Sequence, residues 1–256
     1  MKNIDSPNYG NWVPRKMIMV FLVLFCISCI LSILINIGIV RGILIAVSVI
    51  FGALSVYMGY AYWLFGKNDG GLQKQLCNEL LERLDWDGRG KALDIGTGSG
   101  RVAIYLAKKF PSVHCVGIDF WGNPWTYSKG ICDRNAEIEG VANRVSFQRA
   151  SAVSLPFEDG EYDLVISNFV FHSVRVVNKI PLIKEALRVV KKGGAFAFQD
   201  LFNKQFYGDM DIFYKELQSW GLKEFRLVDS SDFVHIPLAL RVEHMAGHSK
   251  ILYGIK

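Results

Sequence analysis

The stretch that most constrains the fold of this chain is KALDIGTGSGR, residues 91–101. A short apolar run containing one acid, Asp94, is followed by three alternating glycines, Gly96, Gly98 and Gly100, and then by apolar residues at helical spacing. This order predicts a strand, a tight turn and the start of a helix. Glycine tolerates a positive φ and lets a ligand approach the backbone, and a helix N-terminus offers unpaired N–H groups. The stretch therefore predicts a turn that binds a polar or anionic part of a ligand.

A second apolar strand, Val113–Asp119, ends in an acid. Asp119 follows Gly100 by about 20 residues, the spacing at which a strand-end acid lies beside the glycine turn of a βαβ unit. There its carboxylate can accept hydrogen bonds from both hydroxyls of a ribose. The alternative is an ordinary aspartate at a strand end.

Further segments match one family in the same order. The chain resembles the class I S-adenosylmethionine-dependent methyltransferases in an ordered set of segments. These are the glycine turn, Asp119 and residues 155–163, 164–168 and 187–194. The resemblance covers roughly residues 72–256. It implies an α/β fold with a Rossmann-like, seven-stranded, mostly parallel sheet and helices on both faces. It also implies S-adenosylmethionine as cofactor and S-adenosylhomocysteine as product. A nicotinamide dehydrogenase shares the glycine turn but does not require the later segments.

The remaining pattern predicts the other elements of such a sheet. Strands are expected at Val145–Arg149, 163–168, 195–199, 222–229 and Ser249–Ile255, and helices at 72–84, 124–139, 179–190 and 210–220. The basic pair and the two glycines at 191–194 are expected to end the helix before them. The late strand pair favours an antiparallel edge.

The resemblance implies that the cofactor is bound by residues of the turn and of the strand ends. They are Asp94, Gly96, Thr97, Gly98, Gly100, Asp119, Phe120, Trp121, Ser151, Ala152 and Asn168. The family commonly has an aspartate at the position of Ser151, where it accepts from the adenine amino group, and a hydroxyl makes a weaker contact. Two interpretations of the aromatic residues after Asp119 stay open. In the first interpretation, these residues stack on adenine, line the substrate entrance or enter the membrane interface. In the second, they only pack a helix onto the sheet.

Methyl transfer from a sulfonium is an in-line displacement, for which the protein aligns the nucleophile and excludes water. A neutral hydroxyl or ammonium acceptor also needs a proton acceptor within reach. The candidates are His172, Asp200 and His235, and Tyr207 is expected to orient the substrate. In an alternative role His172 only closes the site. No metal-ligand spacing stands out, so no metal is expected.

Two uncharged runs precede this domain, residues 17–40 and 42–65. Each exceeds the about 20 apolar residues that cross a bilayer as a helix. They account for much of the hydrophobic content of the chain, which is 51%. They predict a transmembrane hairpin; the alternatives are a buried helical hairpin and a cleaved signal peptide, whose apolar region is shorter.

The charges around these runs predict their orientation. Basic residues flank the outer ends of the hairpin, whereas the expected turn at 36–42 carries only Arg41. The positive-inside rule then predicts an integral membrane protein with two spans whose termini and catalytic domain are cytoplasmic. The expected divisions are a cytoplasmic N-terminal segment (1–16), the hairpin (17–66), a linker with an amphipathic cap helix (67–90) and the methyltransferase domain (91–256).

The expected partners are a lipid bilayer and a small-molecule or lipid substrate. Acidic and basic residues nearly balance after residue 66, so no nucleic-acid partner is expected, and the cysteines are expected to be free thiols. An aromatic-rich stretch at 202–237 behind a membrane hairpin favours a hydrophobic or lipid-like methyl acceptor. The alternatives are simple anchoring with a cytoplasmic substrate, and a non-catalytic membrane module that senses the cofactor or binds a partner. The sequence carries no signal for the oligomeric state.

Overall fold

The computed structural model of the chain describes residues 6–122, 127–242 and 245–256, and only the backbone of residues 68–70. The described residues form two compact units. One contains residues 6–9, Gln75–Gly122 and 127–256, and the other contains Gly10–Lys74. The predicted helix start at Pro124 and the second tryptophan of the aromatic loop, Trp125, lie outside the described residues.

The first unit is built on a seven-stranded sheet in the order β3-β2-β1-β4-β5-β7-β6. Its first five strands are parallel, and the seventh lies antiparallel between the fifth and the sixth. The predicted mostly parallel sheet with an antiparallel edge is confirmed. The strands are β1 (Gly90–Ile95), β2 (Val113–Asp119), β3 (Val145–Arg149), β4 (Tyr162–Asn168), β5 (Val190–Leu201), β6 (Glu224–Asp229) and β7 (Ser249–Ile255).

Helices connect the parallel strands and set the position of the site. They are α3 (Arg101–Lys109), α4 (Lys129–Ile138), α5 (Ile180–Arg188), α6 (Lys204–Tyr207) and α7 (Met210–Ser219). The chain moves outward from β1 to β2 in one direction and from β4 to β5 in the other. Right-handed crossovers therefore place α3 and α5 on opposite faces of the sheet. The reversal between β1 and β4 opens a crevice at the carboxyl ends of the strands, where ligands bind in such sheets.

The prediction for residues 191–194 is wrong. These residues belong to β5, not to the end of α5, which stops at Arg188. Lys191 Nζ donates to Asp163 Oδ1 at 2.6 Å, and the backbone N–H of Gly193 donates to Lys256 O at 2.7 Å. Pairing with β4 and with the C-terminal strand thus extends β5 backwards through the glycines. The pairing register with β4 is irregular there, between Tyr162 and Leu164.

The second unit contains α1 (Arg15–Leu34) and most of α2 (Gly38–Glu82). Arg15–Leu34 and Gly38–Lys67 are each long and apolar enough to cross a membrane. The break between them is shorter than predicted, because residues 35–37 alone are non-helical and Arg41 already lies in α2. The N–H of Arg41 donates to Ile37 O at 2.8 Å, which closes the first turn of that helix.

The predicted linker at 67–71 is also helical. Residues 67–71 continue α2, so the second apolar run and the predicted cap helix are one element. This stretch has no proline to remove a backbone donor, and Gly71 absorbs the local departure from helical geometry with φ +47°.

The two helices of the hairpin contact each other through small polar and aromatic side chains. Ser48 Oγ donates to Ser28 Oγ at 2.9 Å, and both serines are buried. The Phe21 and Phe51 rings stack with centroids 6.3 Å apart. At the open end of the hairpin, Arg15 Nε donates to the Tyr62 hydroxyl at 2.6 Å. Such contacts are typical of paired helices in an apolar environment.

Candidate functional site

The glycine turn between β1 and α3 is fixed against the end of β2. The N–H groups of Gly96 and Thr97 both donate to Ile118 O, at 2.8 and 2.9 Å. Gly96 has φ +72°, and a Cβ at this position would lie 2.2 Å from Val170 Cγ2. Gly100 has φ +83°, and its Cβ would lie 2.9 Å from the Phe147 ring. Gly96 and Gly100 therefore have positive φ angles and no room for a side chain, as the alternating glycines predict.

Asp119 holds the centre of this turn. Its Oδ2 accepts from Gly98 N at 2.9 Å, and its Oδ1 accepts from Trp121 N at 2.7 Å. The Trp121 indole Nε1 donates back to Gly98 O at 2.9 Å. A carboxylate has about four acceptor sites, so Asp119 keeps capacity for the hydroxyls of a ribose. The predicted position beside the turn is observed, and its contact with a ribose stays a prediction.

Asp94 supports the turn from inside the domain. Its Oδ2 accepts from Thr97 Oγ1 at 2.7 Å and from Ala103 N at 3.2 Å, and the side chain is buried. Burial raises the pKa of Asp94 to about 7, although both hydrogen bonds act in the opposite direction. Asp94 and Thr97 therefore join the turn to the first turn of α3. Their hydrogen bonds fix the conformation of the turn from its buried side.

Replacing Asp94 with asparagine is expected to remove a pH dependence of folding stability. The pKa of Asp94 rises from 3.8 to about 7 on folding, so its stabilising contribution is complete below pH 3.8 and is lost as the pH rises towards 7. Asparagine stays neutral and accepts the same two hydrogen bonds. At pH 8 the variant should gain roughly 1–2 kcal/mol of unfolding free energy over the natural protein. Urea unfolding of the ligand-free protein from pH 5 to 8 measures this, and an unchanged slope in the variant would contradict it.

The adenine side of the expected site has fewer polar groups. Phe120 is 63% exposed, and the Arg149 guanidinium lies 4.5 Å from its ring centroid. Ser151 is exposed, and its Oγ accepts from Val153 N at 3.2 Å within its own turn. Ala152 is half-buried next to it. The aromatic face of Phe120 thus offers a stacking surface, and the Ser151 hydroxyl, which accepts one bond within its own turn, keeps its donor and a second acceptor site.

Asn168 lies at the end of β4 in a chain of hydrogen bonds. Its Nδ2 donates to Gln199 Oε1 at 2.7 Å, and Gln199 Nε2 donates to Ser230 Oγ at 3.0 Å. The Cys77 thiol lies 3.4 Å from Asn168 Oδ1. This network holds the Asn168 amide in one orientation at the crevice. Gln199 and Cys77 carry no motif in the sequence, and only the fold brings them here.

Two non-glycine residues with positive φ flank the crevice. Trp121 has φ +42° after β2, and Phe169 has φ +57° after β4. A bulky residue adopts this conformation rarely, and such strain concentrates at functional sites. Both positions follow strands whose carboxyl ends form the crevice, so the strain marks the same edge of the sheet as the glycine turn.

His172 and Asp200 form a close pair beside Phe169. His172 Nδ1 lies 2.5 Å from Asp200 Oδ1, and Asp200 Oδ2 accepts from His172 N at 3.2 Å. The Asp200 side chain is fully buried, whereas that of His172 is 24% exposed. An Nδ1–H donated to the carboxylate leaves Nε2 as the proton acceptor. The Phe169 and Phe206 rings lie edge-on to the imidazole, with centroids 6.3 and 5.7 Å away.

The prediction that Tyr207 orients a substrate is not supported by its position. Tyr207 is buried, and its ring lies against Phe202 and Phe213, with centroids 4.7 and 5.3 Å away. Its hydroxyl has no hydrogen-bond partner among the described residues. Apolar packing has therefore placed this side chain in the core. His235 lies on an exposed loop. Within the described ranges, no group of three or more His, Cys, Asp or Glu residues could hold a metal ion.

The N-terminal segment contacts the glycine turn, α3 and α4, which the sequence does not predict. Asn8 N donates to Asn135 Oδ1 at 2.7 Å, and Ser99 Oγ donates to Tyr9 O at 2.9 Å. The Tyr9 hydroxyl donates to Glu139 Oε1 at 3.0 Å. Residues 6–9 therefore form a strap that is held by hydrogen bonds to the glycine turn and to α4 and its C-terminal end.

Arg101 lies beneath this strap as a buried cation. The Arg101 side chain follows Gly100 directly, is 5% exposed, and has its Cζ 4.5 Å from the Tyr9 ring centroid and 5.9 Å from that of Tyr105. Its Nε and Nη1 have no hydrogen-bond partner in the described part of the chain. A desolvated cation–π contact contributes about 2 kcal/mol, whereas burial of an unpaired charge costs several kcal/mol. The two rings alone do not offset that cost.

Known proteins are similar in sequence to the part of the chain that contains the glycine turn and β1–β5. Residues 93–198 match the family model described as "Methyltransferase domain". The ubiquinone/menaquinone biosynthesis C-methyltransferase UbiE of Geotalea daltonii is 28% identical over 137 residues, which are 53% of this chain and 56% of that protein. The chloroplastic tocopherol O-methyltransferase of Arabidopsis thaliana is 38% identical over 104 residues, 41% of this chain and 28% of that protein.

A solved structure shares the fold. The structure of a SAM-dependent methyltransferase from Aquifex aeolicus superimposes with a TM-score of 0.50 at 17% identity, covering 70% of this chain and 88% of that one. The chain spans about half the length of the curated relatives it matches.

Proposed function

Residues 93–198 form a class I S-adenosylmethionine-dependent methyltransferase domain, and from that premise we propose that the whole protein is a membrane-anchored methyltransferase. It would move a methyl group from S-adenosylmethionine to a small, hydrophobic or lipid-like acceptor. The observation that carries the proposal is the glycine turn clamped by Asp119 at the same sheet edge as the His172–Asp200 pair.

The residues around the turn fit the cofactor. Asp119 would accept from the ribose hydroxyls, the positive-φ glycines would let the cofactor approach the backbone, and Phe120 would stack on the adenine. Asn168 would bind near the methionine portion at the end of β4. The cofactor, when bound, supplies the electrophilic methyl group, and the protein supplies alignment and exclusion of water.

The His172–Asp200 pair fits an acceptor that must lose a proton. Asp200 would hold the imidazole so that Nε2 takes the proton of a hydroxyl or ammonium group as the methyl group is transferred. Asp200 is buried and also accepts from Leu201 N at 2.7 Å, so its carboxylate is fixed in place. We assign His172 as the general base and Asp200 as a positioning residue.

The surroundings of His172 favour an apolar acceptor. The imidazole lies between the Phe169 and Phe206 rings. The names of two relatives refer to hydrophobic molecules: UbiE is a C-methyltransferase of ubiquinone/menaquinone biosynthesis, and the plant enzyme is a tocopherol O-methyltransferase. A hydrophobic phenol or a quinone precursor fits both the aromatic surroundings and the proton acceptor.

Membrane anchoring is supported by the two apolar helices of the second unit. At their open end Arg15 contacts Tyr62, and Lys67 Nζ lies 4.6 Å from the Trp63 ring. Aromatic and basic side chains in such pairs suit a membrane–water interface. With only Arg41 near the opposite end, the proposed orientation puts both termini and the catalytic domain in the cytoplasm.

Carbonate extraction of cell membranes tests the anchoring. The full chain is expected to stay in the membrane pellet at pH 11, because the two spans are held by the bilayer and not by charge. As a matched comparison, a variant carrying Val23→Arg and Val49→Arg should leave the pellet, since each central arginine opposes insertion by about 2.5–3.5 kcal/mol. Release of the natural chain into the supernatant would contradict anchoring.

One observation favours a second function. Residue 151 is a serine, so the adenine lacks the acidic partner that the family resemblance implies at this position. A non-catalytic membrane module that senses the cofactor would bind S-adenosylmethionine and transfer nothing. Single-turnover assays with methyl-labelled cofactor separate the two, because a sensor retains all the label on the cofactor.

A further inference from the structure

We propose that Lys179 is a positioning residue for the His172–Asp200 pair. Its ammonium group fastens the loop that carries His172 and balances the buried charge of Asp200. The proposal rests on the proposed function for the role of His172 as the general base. Lys179 lies outside every segment that the sequence motifs single out. A neutral imidazole is the form that accepts a proton, so a fixed positive charge nearby favours the active form of His172.

Lys179 is a buried lysine at the start of α5. Its side chain is 6% exposed, and it directly precedes Ile180, the first residue of that helix. A lysine is almost never buried unless a partner compensates for its lost hydration. Burial lowers the pKa of Lys179, and the negative charge of Asp200 acts in the opposite direction. The ammonium group therefore lies where the charge of Asp200 reaches it.

The ammonium group also closes the loop between β4 and α5. Lys179 Nζ donates to Val176 O at 2.9 Å and also to Val174 O. Both carbonyls follow the single helical turn Phe171–Ser173, which contains His172. The two valine side chains are partly buried against the hydrophobic core. The lysine thus fixes the part of the loop that follows the imidazole.

Asp200 is a buried carboxylate whose hydrogen bonds come from groups without a fixed charge. It accepts from His172 Nδ1, His172 N and Leu201 N, at 2.5, 3.2 and 2.7 Å. Among the described residues, no lysine or arginine forms an ion pair with it. A buried carboxylate without a balancing charge favours a protonated imidazole beside it, and an imidazolium accepts no proton. The charge of Lys179 opposes that protonation.

The other titratable groups near the pair do not supply this charge. The Tyr207 hydroxyl stays neutral, because burial and the charge of Asp200 raise its pKa well above the ordinary value. Arg175 belongs to the same loop as His172 but is exposed, where solvent and salt screen its charge. In the described part of the chain, the charge at this pair is therefore set by Asp200, the imidazole and the Lys179 ammonium group.

Carbethoxylation of histidines by diethyl pyrocarbonate tests the proposal without an acceptor or a cofactor. The reagent attacks the neutral imidazole, and peptide mass spectrometry gives the rate at each histidine as a function of pH. The His172 side chain is 24% exposed, and Asp200 engages Nδ1, so Nε2 is the atom expected to react. The exposed His235 and His248 serve as internal references in each sample of the detergent-solubilised full chain.

Lys179→Met is expected to raise the pH of half-maximal reaction at His172 by about 1 pH unit, because loss of a nearby positive charge favours the imidazolium. Lys179→Gln loses the same charge but keeps a donor for one carbonyl. It should show the same rise, and it covers the case in which the methionine variant does not fold. Lys184→Gln, which removes an exposed lysine of the same helix, should keep the natural midpoint.

The rate at high pH tests the loop contact separately. There every imidazole is neutral, and His172 of Lys179→Met should react at least about twofold faster than in the natural protein, because the loop has lost both carbonyl contacts. An unchanged rate at high pH would overturn the role of Lys179 in fastening the loop.

An unchanged midpoint at His172 in both Lys179 variants would overturn the proposal. An equal rise at His235 and His248 would also overturn it, because that pattern indicates a general change in the protein. The proposed function fails instead if the natural protein transfers no methyl group from S-adenosylmethionine, and this titration cannot produce that outcome.

Discussion

Replacing His172 with glutamine is expected to lower the rate of methyl transfer to a hydroxyl acceptor by about 10²–10⁴-fold. Glutamine fills a similar volume and can still hydrogen-bond to Asp200, but it takes no proton. His172 contacts neither Asp119 nor the glycine turn through any hydrogen bond of the described residues, so the affinity for S-adenosylmethionine should stay within about twofold. The measurement is single-turnover transfer of labelled methyl into organic extract, with cofactor affinity determined alongside.

The matched control is His248→Gln, since His248 lies exposed on a short helix before β7. It should transfer methyl at the natural rate. Asp200→Asn should reduce the rate in the same direction as His172→Gln, because the amide no longer favours the Nδ1–H form of the imidazole. An unchanged rate in His172→Gln would show that the acceptor needs no base from this side chain, and would remove the role assigned to it.

Asp119→Ala is expected to weaken S-adenosylmethionine binding by at least about 1.5 kcal/mol, more than tenfold in Kd. The substitution removes the proposed acceptor of two ribose hydrogen bonds. It also frees Gly98 N and Trp121 N, which Asp119 now holds at 2.9 and 2.7 Å, so the turn should lose its fixed shape. Calorimetry in detergent measures the change.

Asp133→Asn is a suitable comparison for Asp119→Ala, because Asp133 is a carboxylate on α4 that pairs with Lys129. It should leave cofactor affinity unaltered. Asp119→Asn keeps one acceptor oxygen and should fall between the alanine variant and the natural protein. If Asp119→Ala bound the cofactor as tightly as the natural protein, Asp119 would not be the ribose ligand.

The parts of the site that follow from short stretches of sequence could be predicted. The alternating glycines require a turn at the end of β1, and the strand-end position of Asp119 puts it next to that turn, because adjacent parallel strands end at the same sheet edge. The pairing of His172 with Asp200 was not expected from the sequence, although both residues were candidates. It depends on β4 and β5 being neighbours and on how the chain turns after Phe169.

The contact between Arg101 and Tyr9 could not be predicted from local sequence patterns. Tyr9 is separated from Arg101 by two uncharged runs, and no periodicity links a short N-terminal segment to the first turn of α3. The signal available was Arg101 itself, a charged residue directly after the last glycine, where the helix packs closely on the sheet. Its burial became visible only in three dimensions.

Two errors in the predicted elements have the same physical cause. Residues 67–71 were expected to form a polar linker, and the glycines at 193–194 were expected to end a helix. Helix continuation at Gly71 and strand pairing at Gly193 overrode these local patterns. Tyr207 is a different case: a phenol next to a candidate acid suggests function, but its ring fills the core between Phe202 and Phe213.

The most direct test of a methyltransferase with a lipid-like acceptor is mass spectrometry of organic extracts from cells fed methyl-labelled methionine. Extracts are compared for cells with the natural protein, with His172→Gln and with no copy of the protein. We expect a labelled species in the lipid fraction that requires the protein and falls sharply in His172→Gln. Cofactor binding in vitro without any protein-dependent label in that fraction would contradict a lipid-like acceptor.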